Sequence, residues 1–310
     1  MMTACLICLA EVGRDTDYHP PCVRRLFGTR KVPRLEIALA KLHTFGLAMV
    51  GRTSISGVQR KISLGLGADR MTLQVGADRA RYILKPATEV YPSLPENEHV
   101  TMRIAKLCRI AIPECGLIRL EDGSLAYIVV RFDRPAEGGK LRQEDFCQLA
   151  LKSPKQKYEG SAERCARLLR RYASEPVVEQ LKLFRLMVFA WWTGNGDMHL
   201  KNFSLLADLD GRHHLSPAYD LVCTRLLIQD DPLALPVGGK DRGITRKTWL
   251  EYGEYCELPR PAIDREFAAI AAAVAPARRL LGQSLLPDEM KQRYSTLLEA
   301  RAGILSPRGQ

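Results

Sequence analysis

From residue 61 to residue 132 the chain is written in short apolar runs interrupted by Gly and Asp, whereas after residue 140 apolar residues recur at three- and four-residue steps. The first texture predicts strands and the second helices. Ile62 to Leu66, Met71 to Val75 and Arg81 to Leu84 read as a small antiparallel sheet. Gly116 to Leu120 and Leu125 to Phe132 add two strands, joined by the turn signal Glu121-Asp122-Gly123-Ser124. Glu98 to Arg109 predicts a helix stopped by Pro113, and residues 34–45 have helical spacing that ends at Gly46. Further on, Ala162 to Tyr172, Val177 to Trp192, 263–281 and 288–304 predict helices, and 203–217 two strands around Asp208-Leu209-Asp210-Gly211. A chain that is β-rich first and α-rich later is expected to form an α+β protein of two lobes. The division expected is an N-terminal extension over 1–50, a small lobe over 51–134 and a larger helical lobe over 135–310.

Composition narrows the classes. No apolar run approaches the ~18 residues that span a bilayer. The N-terminus lacks a basic leader region and soon reaches Glu11, Arg14 and Asp15, so a cytoplasmic protein is expected. Nine cysteines, an odd number scattered through predicted elements, argue against a secreted disulfide framework. The net charge is +11, and residues 1–61 alone carry ten Lys/Arg against four Asp/Glu. Such a surface suits nucleic acid or phosphate, although a basic surface is more often simply solvated.

The chemistry concentrates in Gly194-Asn195-Gly196-Asp197-Met198-His199-Leu200-Lys201-Asn202-Phe203, directly after the apolar run Leu186 to Trp192. Asp197 and Asn202 are five residues apart, and Asp220 follows after the two predicted strands. Phosphoryl transfer needs a carboxylate to position the acceptor and oxygen ligands for Mg²⁺ beside the phosphates, and this spacing can supply both. Taken alone, the same residues also fit a helix-ending turn and a helix cap. Upstream, Thr53 to Lys61 is small and polar enough for backbone N–H groups to approach phosphate, but it lacks the P-loop pattern and also reads as a linker. Lys85 ends the strand Tyr82-Ile83-Leu84-Lys85-Pro86, with Glu96 and Glu98 opening the next helix as candidate partners. Val129 to Arg134 runs from an apolar strand into polar residues, where a hinge would offer backbone groups to a base. Phosphate loop, strand lysine, acidic helix, hinge, Asp-x₄-Asn and a final Asp is the linear order of a bilobal kinase, which favours the catalytic reading.

Six stretches are specific enough to carry a resemblance: Ser-Ile-Ser-Gly-Val-Gln-Arg-Lys, Tyr-Ile-Leu-Lys-Pro, Glu-Asn-Glu-His, Val-Arg-Phe-Asp-Arg, Gly-Asn-Gly-Asp-Met-His-Leu-Lys-Asn-Phe and Ser-Pro-Ala-Tyr-Asp-Leu. Together, across roughly residues 50–305, they resemble the HipA family of serine/threonine kinase toxins. The resemblance implies a bilobal protein-kinase-like fold using ATP and Mg²⁺. Asp197 becomes the catalytic base, with Asn202 and Asp220 the Mg²⁺ ligands. Lys85 becomes the ATP-phosphate lysine, and Arg131, Phe132 and Asp133 the hinge. Ser54, Ser56, Gly57, Val58, Gln59 and Lys61 form the phosphate loop, with Ser54 and Ser56 the autophosphorylation sites. Only 53 residues precede Ser54, and with the paired serines this looks most like the short HipT branch of tripartite systems. That branch implies a small HipS-like antitoxin, a HipB-like DNA-binding partner, possible DNA contact through that complex, and an aminoacyl-tRNA synthetase substrate, tryptophanyl-tRNA synthetase favoured. A small-molecule kinase and a DNA-bound regulator with a degenerate kinase site are the alternatives.

Four residues stand outside that pattern. Cys5-x₂-Cys8-x₁₀-His19-x₂-Cys22 has the residue types and pair spacing of a structural zinc site, with buried free thiols as the other reading. The remaining cysteines have no ligand spacing and are expected in the core. His199 is expected to brace the catalytic loop, Trp191 and Trp192 to pack inside, and Arg164, Arg167, Arg170 and Arg171 to form a solvated helix face.

Overall fold

Alternation along one central strand divides the small lobe into layers. In the computed structural model, which describes residues 3–13, 15–35, 61–75, 80–135 and 138–307, the N-terminal half contains β1 (Thr3–Ala4), β2 (Glu11–Val12), α1 (Pro20–Phe27), β3 (Arg34–Leu35), β4 (Ile62–Leu66), β5 (Thr72–Val75), β6 (Tyr82–Pro86), α2 (Leu94–Leu107), β7 (Cys115–Arg119) and β8 (Leu125–Val130). Six strands form one sheet in the order β3-β5-β4-β6-β8-β7, and β1 and β2 form a separate ribbon. Every neighbour in the sheet is antiparallel except the pair β3 and β5. Successive side chains of a strand point to opposite faces. Ala126 and Ile128 accordingly join Leu64, Tyr82 and Leu84 in packing against Cys5, Ile7, Val23, Leu26 and Phe27. Tyr127 and Val129 turn the other way, into the core that holds Val100 and Ile104 of α2. The N-terminal residues thus cover one face of the sheet and α2 the other.

The second half contains β9 (Gln143–Asp145), α3 (Phe146–Leu149), α4 (Ala162–Tyr172), α5 (Pro176–Trp192), β10 (Ser204–Ala207), β11 (His213–Leu215), α6 (Arg246–Tyr255), α7 (Arg260–Gln283) and α8 (Asp288–Leu305). Trp191 and Trp192 are buried as expected, and the indole N–H of Trp192 donates to the Leu298 carbonyl at 2.9 Å. Arg185 forks onto both carboxylate oxygens of Glu266, each at 2.7 Å, and ties α5 to α7. Among the described residues no helix is long and apolar enough to cross a membrane.

Most predicted elements lie within a few residues of their place; the differences have tertiary causes. Arg34–Leu35 is a strand rather than the start of a helix, because the Arg34 N–H donates to the Met71 carbonyl at 2.7 Å and joins the sheet edge; residues 36–45 lie outside the described residues. Helix α2 begins at Leu94, four residues early, with Pro95 in the first turn, where a missing N–H costs nothing. The arginine stripe of α4 is only partly solvated. Arg164 donates to the Ala150 carbonyl, Arg167 to the Tyr255 hydroxyl and Arg170 to Glu257, so three of the four dock neighbouring elements.

Candidate active site

Helix α5 ends in a reversal that only small residues permit. Gly194 has φ 73°, and a Cβ there would press on Leu297. Two residues on, a Cβ at Gly196 would overlap the Asp231 carboxylate and the Pro232 carbonyl. The Gly196 N–H donates to Thr224 Oγ1 at 2.7 Å, and that hydroxyl also bonds Asp231. The loop is therefore clamped from behind. Gly196→Ala should force it to shift, costing about 1–3 kcal/mol of stability, and a melting temperature equal to that of the parent protein would refute this.

The loop turns on its own side chains. The Asp197 N–H donates to Asn195 Oδ1 at 3.0 Å, and Asn202 Nδ2 donates back to the Asp197 carbonyl at 2.8 Å. The five-residue spacing is thus a closed turn, with its two side chains held in register. Tyr158 donates its hydroxyl to the Asp197 carboxylate and stands edge-on to His199, with ring centroids 5.1 Å apart. Beneath the loop, Lys201 pairs with Asp145 at 2.8 Å, and the Tyr219 hydroxyl donates to the Lys201 carbonyl at 2.8 Å. The sheet of β9, β10 and β11 thereby fixes the loop and the residue before Asp220.

The small lobe contributes a charge cluster. Lys85, on β6 and on the same sheet face as Tyr127, is 2% exposed and pairs with Glu98 of α2 and, at 2.5 Å, with Asp220. Glu98, not Glu96, is its helix partner. Asp220 receives a second ammonium from Lys61 at 2.6 Å. One cation between two carboxylates does not serve them equally. Burial raises the enclosed Glu98 carboxyl, and Lys85 only partly offsets this. Burial works on Asp220 too, but Lys61 and Lys85 outweigh it and hold that carboxyl well below the usual carboxylate range. Burial opposes the charge on Lys85, yet Asp220 and Glu98 keep its pKa above the ordinary lysine value.

Asp220 sits at φ 56°, a left-handed conformation unusual for a residue with a Cβ. Such outliers cluster where the surrounding structure dictates a side-chain position. At the hinge, Arg131 forks onto Asp133 at 3.0 and 2.8 Å, and Phe132 lies 5.6 Å from the Tyr219 ring.

Each candidate among the described residues thus has a place. Lys61, Lys85, Glu98 and Asp220 form one cluster, Asp197, His199 and Asn202 one loop, and Arg131 to Asp133 the segment above Tyr219. Cys5, Cys8, His19 and Cys22 converge elsewhere, on the outer face of the small-lobe sheet. Ser54, Ser56, Gly57, Val58 and Gln59 lie outside the described residues. Sequence reasoning passed over Tyr158, Thr224 and Asp231, which share no motif with the residues they hold. Tyr219, by contrast, stands inside the quoted Ser-Pro-Ala-Tyr-Asp-Leu. The donor set suits a hard cation: with Nδ2 of Asn202 committed to the loop, its Oδ1 is left as an oxygen donor, and Asp220 supplies a carboxylate.

Two buried imidazoles make stability depend on pH. Burial lowers His199 to about 4 against opposition from Asp197, with Lys157 and Asp220 also facing it. It lowers His99 to about 4 despite the bond to the Ile7 carbonyl, with Arg103 nearby. A folded value below the unfolded one means that the unfolded chain binds the extra proton. Stability therefore rises with pH between about 4 and 6.5, and falling to pH 5.5 should remove roughly 1 kcal/mol per histidine. A melting temperature that is flat between about pH 7 and pH 5.5 would contradict this.

Comparison with known proteins identifies the family and the fold. Residues 53–278 match the family model described as HipA-like C-terminal domain. The chain belongs to this HipA-like family. The serine/threonine-protein kinase toxin HipA of Shewanella oneidensis is 30% identical over 190 residues, 55% of this chain and 43% of that one. A candidate kinase of Haemophilus influenzae is 28% identical over 257 residues, 77% of this chain and 72% of its own length. The sequence match thus reaches less than half of the Shewanella toxin's length. Among solved structures, HipA in the Shewanella HipA–HipB–operator DNA complex superposes with TM-score 0.72 at 21% identity, over 94% of this chain and 74% of that one. The Helicobacter pylori proinflammatory kinase CtkA gives TM-score 0.55 at 14% identity, over 75% and 87%. The HipA-like fold is therefore the α+β arrangement expected from the change of texture along the chain.

Proposed function

We propose that this HipA-like protein is a serine/threonine protein kinase of the toxin class, using ATP and Mg²⁺. The observation that carries the reading is the Lys85–Glu98–Asp220 cluster joining a strand, a helix and the segment after the catalytic loop. A kinase needs such a link between its lysine, its helix glutamate and its metal-binding aspartate. Magnesium ATP would supply the transferable phosphoryl group. Lys85 fixes the phosphates, Asn202 and Asp220 present oxygen ligands, and Arg131 to Asp133 line the nucleotide side. Asp197 accepts the proton of the acceptor hydroxyl as it attacks, with Tyr158 and Asn202 holding it in place. In this reading residues 51–134 are the nucleotide lobe and 135–310 the acceptor lobe, behind the extension 1–50.

The finer assignments rest on the HipT-like features of the sequence. Ser54 and Ser56 are the autophosphorylation sites, and each phosphoryl group adds about −1.5 to −2 charge to a loop that must admit ATP. An aminoacyl-tRNA synthetase, tryptophanyl-tRNA synthetase first, is the substrate. A HipS-like antitoxin and a HipB-like DNA-binding protein are the partners; the Shewanella relative was solved with HipB and operator DNA.

The purified protein is incubated with labelled ATP, Mg²⁺ and a cell lysate, alongside Asp197→Asn. One labelled protein of synthetase size that depends on Asp197 supports the whole reading. Label confined to Ser54 or Ser56 keeps the chemistry and removes the synthetase. Absence of label from a protein whose serines are unmodified by mass spectrometry rejects the kinase.

A further inference from the structure

The residues left over from the kinase pattern are not scattered. Cys5, Cys8, His19 and Cys22 bring one ligand atom each to within 4.8 Å of one another. Two come from the turn between β1 and β2. The others come from the start of α1, where His19 is the N-cap and Cys22 lies in the first turn. We propose that these four residues form a structural zinc site, with three thiolates and the neutral His19 imidazole binding one Zn²⁺. This proposal does not depend on the kinase reading.

The geometry is close to what the ion requires. Tetrahedral zinc, with Zn–S about 2.3 Å and Zn–N about 2.0 to 2.1 Å, puts its ligand atoms roughly 3.5 to 3.8 Å apart. Cys8 Sγ and His19 Nδ1 are 3.4 Å apart, and the rest of the set lies within the 4.8 Å limit. Small side-chain movements therefore close the shell. The imidazole is already turned to bind: its Nε2 lies 2.9 Å from the Glu11 carbonyl. A carbonyl only accepts, so Nε2 carries the hydrogen and the Nδ1 lone pair faces the sulfurs. Metal-bound histidines are commonly oriented in this way by their second nitrogen.

Donors also reach the sulfurs, as thiolates favour. The His19 backbone N–H donates to Cys5 Sγ at 3.5 Å, and Arg25 donates to Cys22 Sγ at 3.4 Å. None of the three cysteines is in a disulfide. Leu9, directly after Cys8, is held at φ 67°, a conformation leucine rarely adopts, which tightens the turn carrying the first two ligands. The exposed alternative, an acidic patch, does not apply, since the set is all sulfur and imidazole, the ligand chemistry of structural zinc.

The site would stiffen more than its own segment. Leu6 and Ile7, between the two knuckle cysteines, lie against the small lobe. The Leu6 carbonyl accepts from the Leu117 N–H at 2.7 Å, and the Ile7 carbonyl from His99 Nε2 at 2.9 Å. His99 follows Glu98 on α2, so the knuckle braces the helix that reaches Lys85.

The test uses the full chain expressed in zinc-supplemented medium, with metal measured by mass spectrometry. About one zinc per chain is expected. Cys22→Ser and His19→Gln should fall close to zero, while Cys147→Ser, a buried thiol far along the chain, keeps the metal. Should those ligand variants fail to fold, replacement of zinc by Co²⁺ in the parent protein decides instead. Thiolate-to-cobalt charge transfer with the intense visible bands of a tetrahedral ion supports the site. Folded protein that carries less than about a tenth of an equivalent of zinc and gives no cobalt spectrum overturns it, and identifies the cluster as packed free thiols.

Discussion

Asp197→Asn should lower phosphoryl transfer to a protein acceptor by about 10²–10⁴-fold, the range associated with loss of a positioned general base. The fold should survive, because the contacts that shape the loop run mostly through backbone atoms. Asn202 Nδ2 still finds the residue-197 carbonyl, the 197 N–H still finds Asn195, and an amide oxygen can still accept from Tyr158. Kinetics and a thermal melt, done together, separate the two effects. Activity within threefold of the parent protein would remove Asp197 from the chemistry. An unfolded variant would show instead that its carboxylate is needed to build the loop.

Lys85→Met should have the largest effect on stability. It leaves Glu98, which has no exposed surface, without its cation, while Asp220 keeps Lys61. Stranding one member of a buried pair costs about 3–5 kcal/mol, on the order of 10 °C in melting temperature for a protein of this size. The pH dependence has a definite sign. Without Lys85 the folded-state pKa of Glu98 rises further, so the folded protein holds a proton that the unfolded chain releases. Stability is then fullest below the ordinary glutamate value of about 4.3 and is lost as pH rises towards the raised folded value. Both proteins share the histidine dependence, so it is the variant's deficit relative to the parent protein that should grow towards alkaline pH. Lys85→Met with Glu98→Gln should recover much of the stability and none of the activity. A double variant as unstable as the single one would mean that the cost lies in packing around residue 85 rather than in the stranded charge.

The change from strand to helical texture exposed the order of the fold because periodicity reports which faces are buried, and burial is what the fold decides. The Asp197-to-Asn202 spacing was legible for a local reason: a turn that closes on its own side chains leaves its length in the sequence. Lys85 was harder, since at a strand end only the register with β8 shows that its side chain joins Tyr127 rather than solvent. The choice of Glu98 over Glu96 depended on the rotation of α2 against the sheet, which no local pattern encodes. Tyr158 and Asp231 reach the loop from distant segments and left no trace of that meeting. The three-residue β9 and the Pro-containing α1 were invisible for a different reason, their periodicity being too short to measure. The strand pairing of Arg34–Leu35 is the clearest case of tertiary contact overriding local spacing.

The sheet of the small lobe also has two ends, and the N-terminal residues attend to both. At one, β3 lies alongside β5; at the other, the Leu6 carbonyl takes the Leu117 N–H of β7, beside a Gly116 whose added Cβ would strike Ile7. Open strand edges invite pairing with other chains. A version of the protein starting near residue 32 would bare the backbone of β7 and an apolar face around Leu64, Leu84 and Ile128. Its expected failure is therefore self-association into mixed oligomers, seen in size-exclusion profiles that worsen with concentration, so the first thirty residues act as a guard on the protein's solubility.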